Sequence, residues 1–252
     1  MKGWRARIGI LYPASGLVDD EFYRLAPPGV SVHIHRVTAH GDVSAEKVKS
    51  FSEVDNLIKY AKDLEPVRPT CIAWACTSGS FLVGKEGSRR QVAALAQSTG
   101  THFTNTSESM VQALRHLGVK RVGVGTPYPS EFNAPIAKFL EENGFEVASL
   151  HNLGLKNDWE IGSATPEEIY NLARRVAVER AEVVFLACTG LGAVDVVETM
   201  ERDLGRPVLT ANQVTMWNAL RLSGISTRGL EQFGSLFAET AAKELAGATS
   251  HR

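Results

Sequence analysis

Short apolar runs rich in β-branched residues alternate along the chain with longer segments whose apolar residues recur at helical spacing. This alternation predicts an α/β fold built from βα units around parallel sheets. The predicted strands span residues 8–12, 30–37, 71–75, 122–125, 147–150, 183–187 and 208–210. The predicted helices span residues 45–64, 89–98, 108–117, 131–143, 166–179, 192–204, 214–222 and 230–245.

Three stretches of the first half of the chain recur in the second half in the same order, offset by 106 to 114 residues. The pairs are RIGILYP (7–13) with RVGVGTP (121–127), WACTSG (74–79) with LACTG (186–190), and SMVQALR (109–115) with TMWNALR (215–221). Preserved order indicates a duplicated architecture. We therefore expect two pseudo-symmetric lobes, 1–118 and 119–252, each a parallel sheet flanked by helices, with a cleft between them. The C-terminal helix could pack back on the first lobe.

Composition narrows the possible partners and the compartment. The formal net charge is −1 and no long Lys/Arg run is present, so the sequence carries no electrostatic signature of nucleic-acid binding. Three cysteines are an odd number, which favours reduced thiols over a secreted disulfide framework. The first residues lack the apolar stretch of a signal peptide, and no apolar run is long enough to span a membrane. We therefore predict a cytoplasmic protein without a membrane partner.

Two cysteines, Cys76 and Cys188, each follow a predicted strand at its carboxyl end, where ligands bind in open α/β sheets. The residues after them are small or hydroxylated, and their amides and hydroxyls could receive a carboxylate: Thr77, Ser78, Thr189 and Gly190. The same positive environment predicts a lowered thiol pKa. The alternative is that both are small buried core residues. Cys71 lacks such a turn, and we expect it to be packing.

Further candidates come from other predicted strand ends and turns. Tyr128 follows the first strand of the second half and could donate a hydrogen bond into the cleft, or simply pack against the core. Ser15 and Gly16 lie in the matching turn of the first half. Asn157 and Asp158 precede a predicted helix and either face the cleft or cap a turn. We include Ser15, Gly16, Tyr128 and Asn157 among the substrate-binding candidates.

No cofactor or metal site is predicted. The stretch 79–85 begins like a phosphate-binding P-loop, but Glu86 stands where a Ser or Thr must bind magnesium. His33 and His35 alternate on one predicted strand and share a face, but two histidines without a third ligand are a poor zinc site.

Taken together, the turn at 13–16, the two Ala-Cys-Thr turns and the Thr-Pro-Tyr stretch at 126–128 resemble the aspartate/glutamate racemase superfamily. Within it, the chain is most similar to the branch of maleate cis-trans isomerases and arylmalonate decarboxylases. The resemblance implies a cofactor-independent enzyme with two α/β lobes, a site between them and one thiol from each lobe.

The resemblance also implies roles for the two thiols. In racemases of this type one cysteine removes a proton beside a carboxylate and the other returns one to the opposite face. In maleate isomerases the first cysteine adds to the double bond and the second supplies a proton. Cys76 and Cys188 match these positions. The family's carboxylate-binding groups would fall on Thr77, Ser78, Tyr128, Thr189 and Gly190.

Two departures affect the choice of reaction. Arylmalonate decarboxylases have glycine in place of the first cysteine, so Cys76 counts against simple decarboxylation. Maleate isomerases carry an asparagine in the first turn, whereas Ser15 and Gly16 are closer to the decarboxylase pattern.

The leading hypothesis is a two-cysteine isomerase, similar to maleate isomerases, acting on a small dicarboxylate or an α-substituted carboxylic acid. An amino-acid racemase and an arylmalonate decarboxylase-like lyase are the enzyme alternatives. A carboxylate-binding protein that has lost activity is the alternative outside enzymes, and a homo-oligomer is possible in every case.

Overall fold

Two four-stranded, wholly parallel sheets form the centre of the computed structural model, which describes residues 3–38 and 44–238. The first sheet contains β1 (Ala6–Pro13), β2 (Val30–Val37), β3 (Cys71–Trp74) and β4 (His102–Asn105), in the order β2-β1-β3-β4. The second contains β5 (Arg121–Thr126), β6 (Glu146–Asn152), β7 (Val183–Leu186) and β8 (Val208–Thr210), in the order β6-β5-β7-β8. The equal strand orders confirm the predicted fold class of two related lobes.

Eleven α-helices of the described residues flank these sheets. They are α1 (Asp20–Arg24), α2 (Ala45–Phe51), α3 (Val54–Lys62), α4 (Thr77–Phe81), α5 (Gly84–Thr99), α6 (Thr106–Leu117), α7 (Asn133–Glu142), α8 (Asp158–Gly162), α9 (Pro166–Val176), α10 (Val197–Leu204) and α11 (Ala211–Leu222). None of the helices within this part of the chain has the length and apolarity that crossing a bilayer requires. The predicted helix 230–245 is wrong at its start, because Glu231–Phe233 is a 3-10 helix that ends at Gly234, whose φ angle is +109°. From position 239 onward this prediction lies outside the described residues.

The prediction of individual elements was wrong in several places, and it missed the five-residue helices α1, α4 and α8 altogether. The prediction missed β4, a four-residue strand in which only Phe103 is strongly apolar, although three of its residues are buried. The predicted helix 45–64 is interrupted between α2 and α3, where Glu53 is extended. The carbonyl of the preceding Ser52 accepts a hydrogen bond from the buried side-chain amide of Gln91 at 3.0 Å. This tertiary contact cannot be predicted from the local sequence pattern.

Equivalent caps begin the last helix of each lobe. The Asn105 side chain at the end of β4 accepts the backbone N–H of Glu108, and this bond starts α6. At the end of β8, Thr210 and Gln213 form a capping box that starts α11. Each cap satisfies backbone donors that a helix end would otherwise leave unpaired. The repeated polar turn therefore fixes where both helices begin.

The lobes share a buried interface built by α6 and α11. Although α11 follows the second sheet, it packs on α6 and on β3 and β4 of the first sheet. The hydroxyls of Thr106 and Thr215 lie 2.9 Å apart across the two helices, and the Asn218 amide donates to the Thr104 hydroxyl at 2.8 Å. The predicted lobe boundary at residue 118 falls between α6 and β5. It stays a prediction, because α11 of the second lobe packs on the first sheet.

Glycines at the centres of β1 and β5 occupy equivalent positions but are required for different reasons. A Cβ atom on Gly123 of β5 would lie 2.2 Å from the backbone carbonyl oxygen of Val176, where α9 ends. On Gly9 of β1, it would meet the Leu64 and Ile72 side chains at 3.0 and 3.1 Å. Side chains can move aside at a lower energetic cost than backbone atoms. Of these two glycines, only Gly123 is therefore required by the close approach of a backbone atom.

We therefore predict that Gly123→Ala lowers the free energy of unfolding by about 1 to 3 kcal/mol, the usual cost of overpacking. Gly9→Ala is the matched control and should cost clearly less. Urea unfolding followed by circular dichroism measures both. A Gly9→Ala variant as unstable as Gly123→Ala would show that the backbone approach of α9 is not the limiting contact.

Candidate active site

A pocket opens between the two lobes at the carboxyl ends of the sheets. Its lining comprises Tyr12, Pro13, Gly16, Lys47, Val48, Phe51, Cys76, Thr77, Ser78, Tyr128, Asp158, Cys188, Thr189 and Gly190. Eight of the ten residues predicted for the site are in this set, including both cysteines. Their placement agrees with the prediction, while their roles in catalysis and binding stay predictions.

Cys76 reaches the pocket because it lies between a buried strand and a short helix. It follows β3 and serves as the N-cap of α4. Its sulfur accepts the backbone N–H of Gly79 at 3.4 Å and lies 3.7 Å from the Ser78 hydroxyl. With 5% of its surface exposed, Cys76 is almost fully enclosed.

Cys188 occupies the corresponding place after β7, with an unusual backbone. Its φ angle is +88°, in a region that residues other than glycine rarely adopt. Such a conformation costs about 1 to 3 kcal/mol and persists only where surrounding contacts hold it. The Gly190 N–H donates to the Cys188 sulfur at 3.3 Å. The strained turn therefore presents this thiol, which is only partly buried, to the pocket.

Each cysteine turn is hydrogen-bonded to the other lobe by the threonine that follows the cysteine. The Thr77 hydroxyl accepts the backbone N–H of Cys188 at 3.2 Å. Reciprocally, the Thr189 hydroxyl donates to the carbonyl of Ala75 at 2.9 Å. We call these two bonds the threonine clasp. The Thr189 hydroxyl donates its proton to the other lobe, so in this structure the side chain joins the two lobes. Its predicted donation to a substrate stays a prediction.

The expectation of lowered thiol pKa values is wrong for this structure. Burial raises the pKa of both Cys76 and Cys188 to about 12, even though backbone N–H groups donate to each sulfur. The negative charge of Asp158 raises both pKa values further. The loss of water around a thiolate thus outweighs the local donors. Both cysteines are therefore neutral thiols at neutral pH in this structure.

Tyr128 packs in the core and also lines the pocket, while its predicted donation to a substrate stays a prediction. Its ring packs against the rings of Phe81 and Phe132, and the residue is 2% exposed. It lines the pocket together with Cys188 and Thr77, and both of these residues influence the pKa of its hydroxyl. Burial, reinforced by the charges of the two cysteines, raises the pKa of the phenol well above its usual value. Tyr128 is therefore a neutral donor held in position by core packing.

Two predicted site residues, Ser15 and Asn157, lie outside the pocket lining. The Asn157 side chain accepts the Glu160 N–H at 2.9 Å and caps α8, which is the simpler of the two roles considered for it. The Ser15 hydroxyl donates to the carboxylate of Asp158. The residue that enters the lining is thus Asp158, one position beyond the predicted Asn157.

Sequence reasoning also missed one wall of the pocket. Lys47, Val48 and Phe51 come from α2, and nothing in the local pattern relates that helix to the cysteine turns. Tyr12 could have been found, because it precedes the turn at 13–16 and corresponds to Thr126 in the repeat. Its hydroxyl donates to the Thr189 carbonyl at 2.9 Å. In the part of the chain that the structure describes, no three His, Cys, Asp or Glu side chains form a metal-binding group.

A buried carboxyl supports the second cysteine turn from behind. Glu21, on α1, is 3% exposed and accepts the Val194 N–H at 2.9 Å and the Asn212 amide at 2.7 Å. The same Asn212 amide donates to the Thr189 carbonyl at 3.1 Å. Burial raises the pKa of Glu21 to about 7, against the lowering effect of these two hydrogen bonds. Glu21 thus links the first lobe to the turn that carries Cys188.

This carboxyl predicts a pH dependence of stability. Because the folded pKa of Glu21 is raised from 4.5 to about 7, its contribution is fully present below pH 4.5 and is lost as the pH rises through 7. Between pH 4.5 and 8, the wild type should lose about 3 kcal/mol relative to Glu21→Gln. Urea unfolding of both proteins across this range measures the difference.

The matched control is Glu182, whose pKa is lowered by N–H groups of Lys120 and Arg121. Its contribution has the opposite sign, since it is lost as the pH falls through the lowered pKa. Parallel pH profiles for wild type and Glu21→Gln would contradict the burial argument.

Sequence comparison finds two enzymes among the relatives of this chain. Arylmalonate decarboxylase from Bordetella bronchiseptica is 27% identical over 235 residues, covering 92% of this chain and 95% of that enzyme. Maleate isomerase from Nocardia farcinica is 26% identical over 226 residues, covering 85% of this chain and 89% of that enzyme.

Solved structures of the same enzymes resemble the fold. A liganded arylmalonate decarboxylase mutant, with one glycine changed to cysteine and one cysteine changed to serine, has a TM-score of 0.84 at 28% identity and covers 93% of this chain and 99% of that one. A Nocardia farcinica maleate isomerase mutant carrying a covalent succinylcysteine has a TM-score of 0.84 at 23% identity, covering 92% and 98%. This second likeness shows the fold alone.

A family model decides the assignment and confirms the resemblance seen in the sequence. The model, described as arylmalonate decarboxylase, matches residues 8–237, which include both lobes and every residue of the pocket. The chain belongs to the arylmalonate decarboxylase family.

Proposed function

We propose that this protein is a cofactor-independent isomerase of a small dicarboxylate or an α-substituted carboxylic acid, using Cys76 and Cys188. The observation that carries the proposal is that two thiols, one from each sheet, line a single pocket. The neutral phenol of Tyr128 and the hydroxyl of Ser78 lie beside them. The relatedness to maleate isomerases supports it.

The chemistry fits two opposed thiols. A proton beside a carboxylate is weakly acidic, and its removal builds enolate-like charge. One sulfur, as thiolate, takes that proton, and the other thiol delivers its own proton to the opposite face. Donors aimed at developing charge contribute roughly 3 to 4 kcal/mol each in favourable sites. Proton transfer by a positioned group adds roughly 100- to 10,000-fold in rate.

For a substrate with a double bond, the same pair works by addition. The thiolate of Cys76 forms a bond to one carbon, and the proton of Cys188 goes to the developing carbanion or enolate. Rotation about the resulting single bond and reversal of both steps give the other isomer. A covalent succinylcysteine is known for the Nocardia farcinica maleate isomerase, and a corresponding adduct on Cys76 is part of this proposal.

A decarboxylase-like lyase is the second candidate, favoured by the family model and by the relative from Bordetella bronchiseptica. It needs only one protonating thiol, and Cys76 would then have no task. The presence of both cysteines at the pocket therefore favours the isomerase. A carboxylate-binding protein without activity is the remaining alternative, and turnover distinguishes it from both enzymes.

Two further aspects stay predictions. We propose that the protein is cytoplasmic on the basis of its cysteine content, and a homo-oligomer stays a prediction as well. The expected small-molecule partner is a small carboxylate, as for the maleate-bound isomerase from Pseudomonas putida S16.

Both thiols should be required for isomerisation. Cys76→Ser and Cys188→Ser are nearly isosteric and should each abolish activity while preserving the fold. Incubating the wild type with a panel of dicarboxylates and chiral acids in deuterium oxide, followed by NMR, identifies the substrate. The variants are then assayed with that substrate.

The control is Cys71→Ser, because Cys71 is buried in β3 away from the pocket lining. It should retain activity wherever it folds. Wild-type turnover by either pocket variant would contradict the two-thiol mechanism, and loss of carbon dioxide as the main reaction would favour the lyase.

Tyr128→Phe removes one hydroxyl and preserves the ring packing. A hydrogen bond to a charged group is worth roughly 1.5 to 3 kcal/mol, so kcat/KM should fall about 10- to 150-fold. Steady-state kinetics measure the loss, and the split between kcat and KM shows whether the bond strengthens in the transition state. Unchanged kinetics in a folded variant would reduce Tyr128 to core packing.

A further inference from the structure

Two buried donor groups close to Cys76 have no hydrogen-bond partner among the described residues. They are the hydroxyl of Ser52, between α2 and α3, and the indole N–H of Trp74, on β3. Ser52 is 2% exposed and Trp74 is fully buried. A buried polar group without a partner lowers stability, so such groups are rare in folded proteins and require an explanation.

The surroundings of Gly79 show that both donors lie beside the sulfur of Cys76. A Cβ atom on Gly79 would meet the Ser52 hydroxyl oxygen, and it would lie 3.1 Å from both the Trp74 indole nitrogen and the Cys76 sulfur. Gly79 is also the residue whose N–H donates to that sulfur. Neither Ser52 nor Trp74 belongs to the pocket lining, so both donors approach the thiol from the protein side.

The glycine of the other cysteine turn has different neighbours. Gly190 donates its N–H to the Cys188 sulfur, as Gly79 does in the first turn. A Cβ atom on Gly190 would lie 3.5 Å from that sulfur and 3.5 Å from a methyl group of Ile161. In the sequence repeat, the position of Trp74 is occupied by Leu186, which has no side-chain donor. Unpartnered donors therefore adjoin one thiol and apolar groups adjoin the other.

Ionisation of Cys76 would change what these donors can do. A neutral sulfur is a weak hydrogen-bond acceptor, and the Gly79 N–H already donates to it. A thiolate carries a full negative charge, and hydrogen bonds to charged groups are about twice as strong as those between neutral groups. Hydrogen bonding to the charged form also favours that form. Donors that are unused beside a neutral thiol are therefore the groups that a thiolate needs.

We propose that Ser52 and Trp74 are positioning residues that act through Cys76, because their donor groups hydrogen-bond to its sulfur when it becomes a thiolate. Cys76 is then the thiol that ionises, and Cys188 keeps its proton and acts as the acid. This inference rests on the proposed function and deepens it, since it assigns unequal roles to the two sulfurs from their surroundings. The stability lost to two unpartnered donors is the cost of holding them in place.

The test is the rate at which iodoacetamide alkylates each cysteine of the full-length protein at one fixed pH, followed by mass spectrometry. The thiolate is the reacting form, so the rate reports how readily each sulfur loses its proton. Ser52→Ala removes one donor and leaves Lys47 and Asp158, the charged residues of the pocket lining, in place. Cys188 in the same molecule serves as the internal reference.

Losing one hydrogen bond to a charged group should lower the thiolate fraction of Cys76 roughly 10-fold or more. A more basic thiolate is also more nucleophilic, which recovers about half of this loss on a logarithmic scale. Alkylation of Cys76 in Ser52→Ala should therefore slow about 3- to 10-fold, whereas Cys188 should keep its rate. An unchanged Cys76 rate, or equal slowing of both cysteines, overturns the proposal.

The stability of Ser52→Ala separates this role from a purely structural one. The substitution removes a buried hydroxyl that has no partner, so the urea midpoint should equal or exceed that of the wild type. A buried water molecule that satisfies Ser52 for structural reasons alone predicts the opposite pair of results. The midpoint would then fall and the alkylation rates would not change, which overturns the proposal.

Trp74→Phe tests the second donor. It keeps an aromatic ring against Phe51, whose ring packs edge-on against that of Trp74, and it removes the indole N–H. Alkylation of Cys76 should slow by a similar factor. A folded Trp74→Phe variant with the wild-type Cys76 rate overturns the proposed pair of donors. If this variant does not fold, the rates of Ser52→Ala decide the test.

The matched control is Ser88→Ala, the same substitution at another buried serine. The Ser88 hydroxyl has a partner, because it accepts the Asn105 side-chain amide at 3.0 Å. Ser88→Ala should therefore lower the urea midpoint and leave both alkylation rates at their wild-type values. Slowing of Cys76 in this control would show that loss of any buried hydroxyl affects the thiol, and it overturns the proposal.

Failure of this inference differs from failure of the proposed function, because alkylation requires no turnover. With the substrate identified, Ser52→Ala should also lower kcat several-fold and leave KM within about twofold of the wild type. Wild-type alkylation and kcat in Ser52→Ala remove the assignment of the donors and leave the two-thiol mechanism in place. Wild-type turnover by Cys76→Ser removes the two-thiol mechanism itself, and the assigned roles fall with it.

Discussion

The threonine clasp is the contact on which the geometry of the pocket depends. Each cysteine turn is bonded to the other lobe by the next residue, Thr77 to the Cys188 amide and Thr189 to the Ala75 carbonyl. A movement between the lobes would therefore break these bonds before it separated the thiols. Helices α6 and α11 pack on each other and stabilise the same interface between the lobes. Tertiary contacts of this kind are what sustain the positive φ angle of Cys188.

Sequence reasoning found the architecture and both thiols because those features are local and occur twice. Apolar runs marked seven of the eight strands, and the repeated Ala-Cys-Thr turns marked the strand ends. It missed β4, whose burial depends on the neighbouring strand rather than on its own composition. It also chose Asn157 over Asp158, since which of two adjacent polar residues caps a helix and which faces a cleft depends on the packing of α8.

Thiol reactivity illustrates the same limit in energetic terms. The sequence of the two turns predicted backbone N–H donors near each sulfur. The structure has them at Gly79 and Gly190. Desolvation of the thiols cannot be predicted from the local sequence, because it depends on all the residues that pack around the site. It dominates here and raises the pKa of both thiols to about 12. In this structure both cysteines are therefore neutral thiols.

The two thiols and the remaining wall of the pocket come from different parts of the fold. The duplicated strand ends supply the two thiols and their donors, and the repeat keeps them alike. The segments after the edge strands β2 and β6 occupy equivalent positions, yet they have diverged into α2 and α8. From them come Lys47, Val48, Phe51 and Asp158. Because these helices lie outside the clasp, they can change without breaking the hydrogen bonds that join the two cysteine turns. A shared fold does not fix function, so proteins that share both lobes can act on different substrates, and the walls formed by α2 and α8 are where the two halves of this pocket differ most.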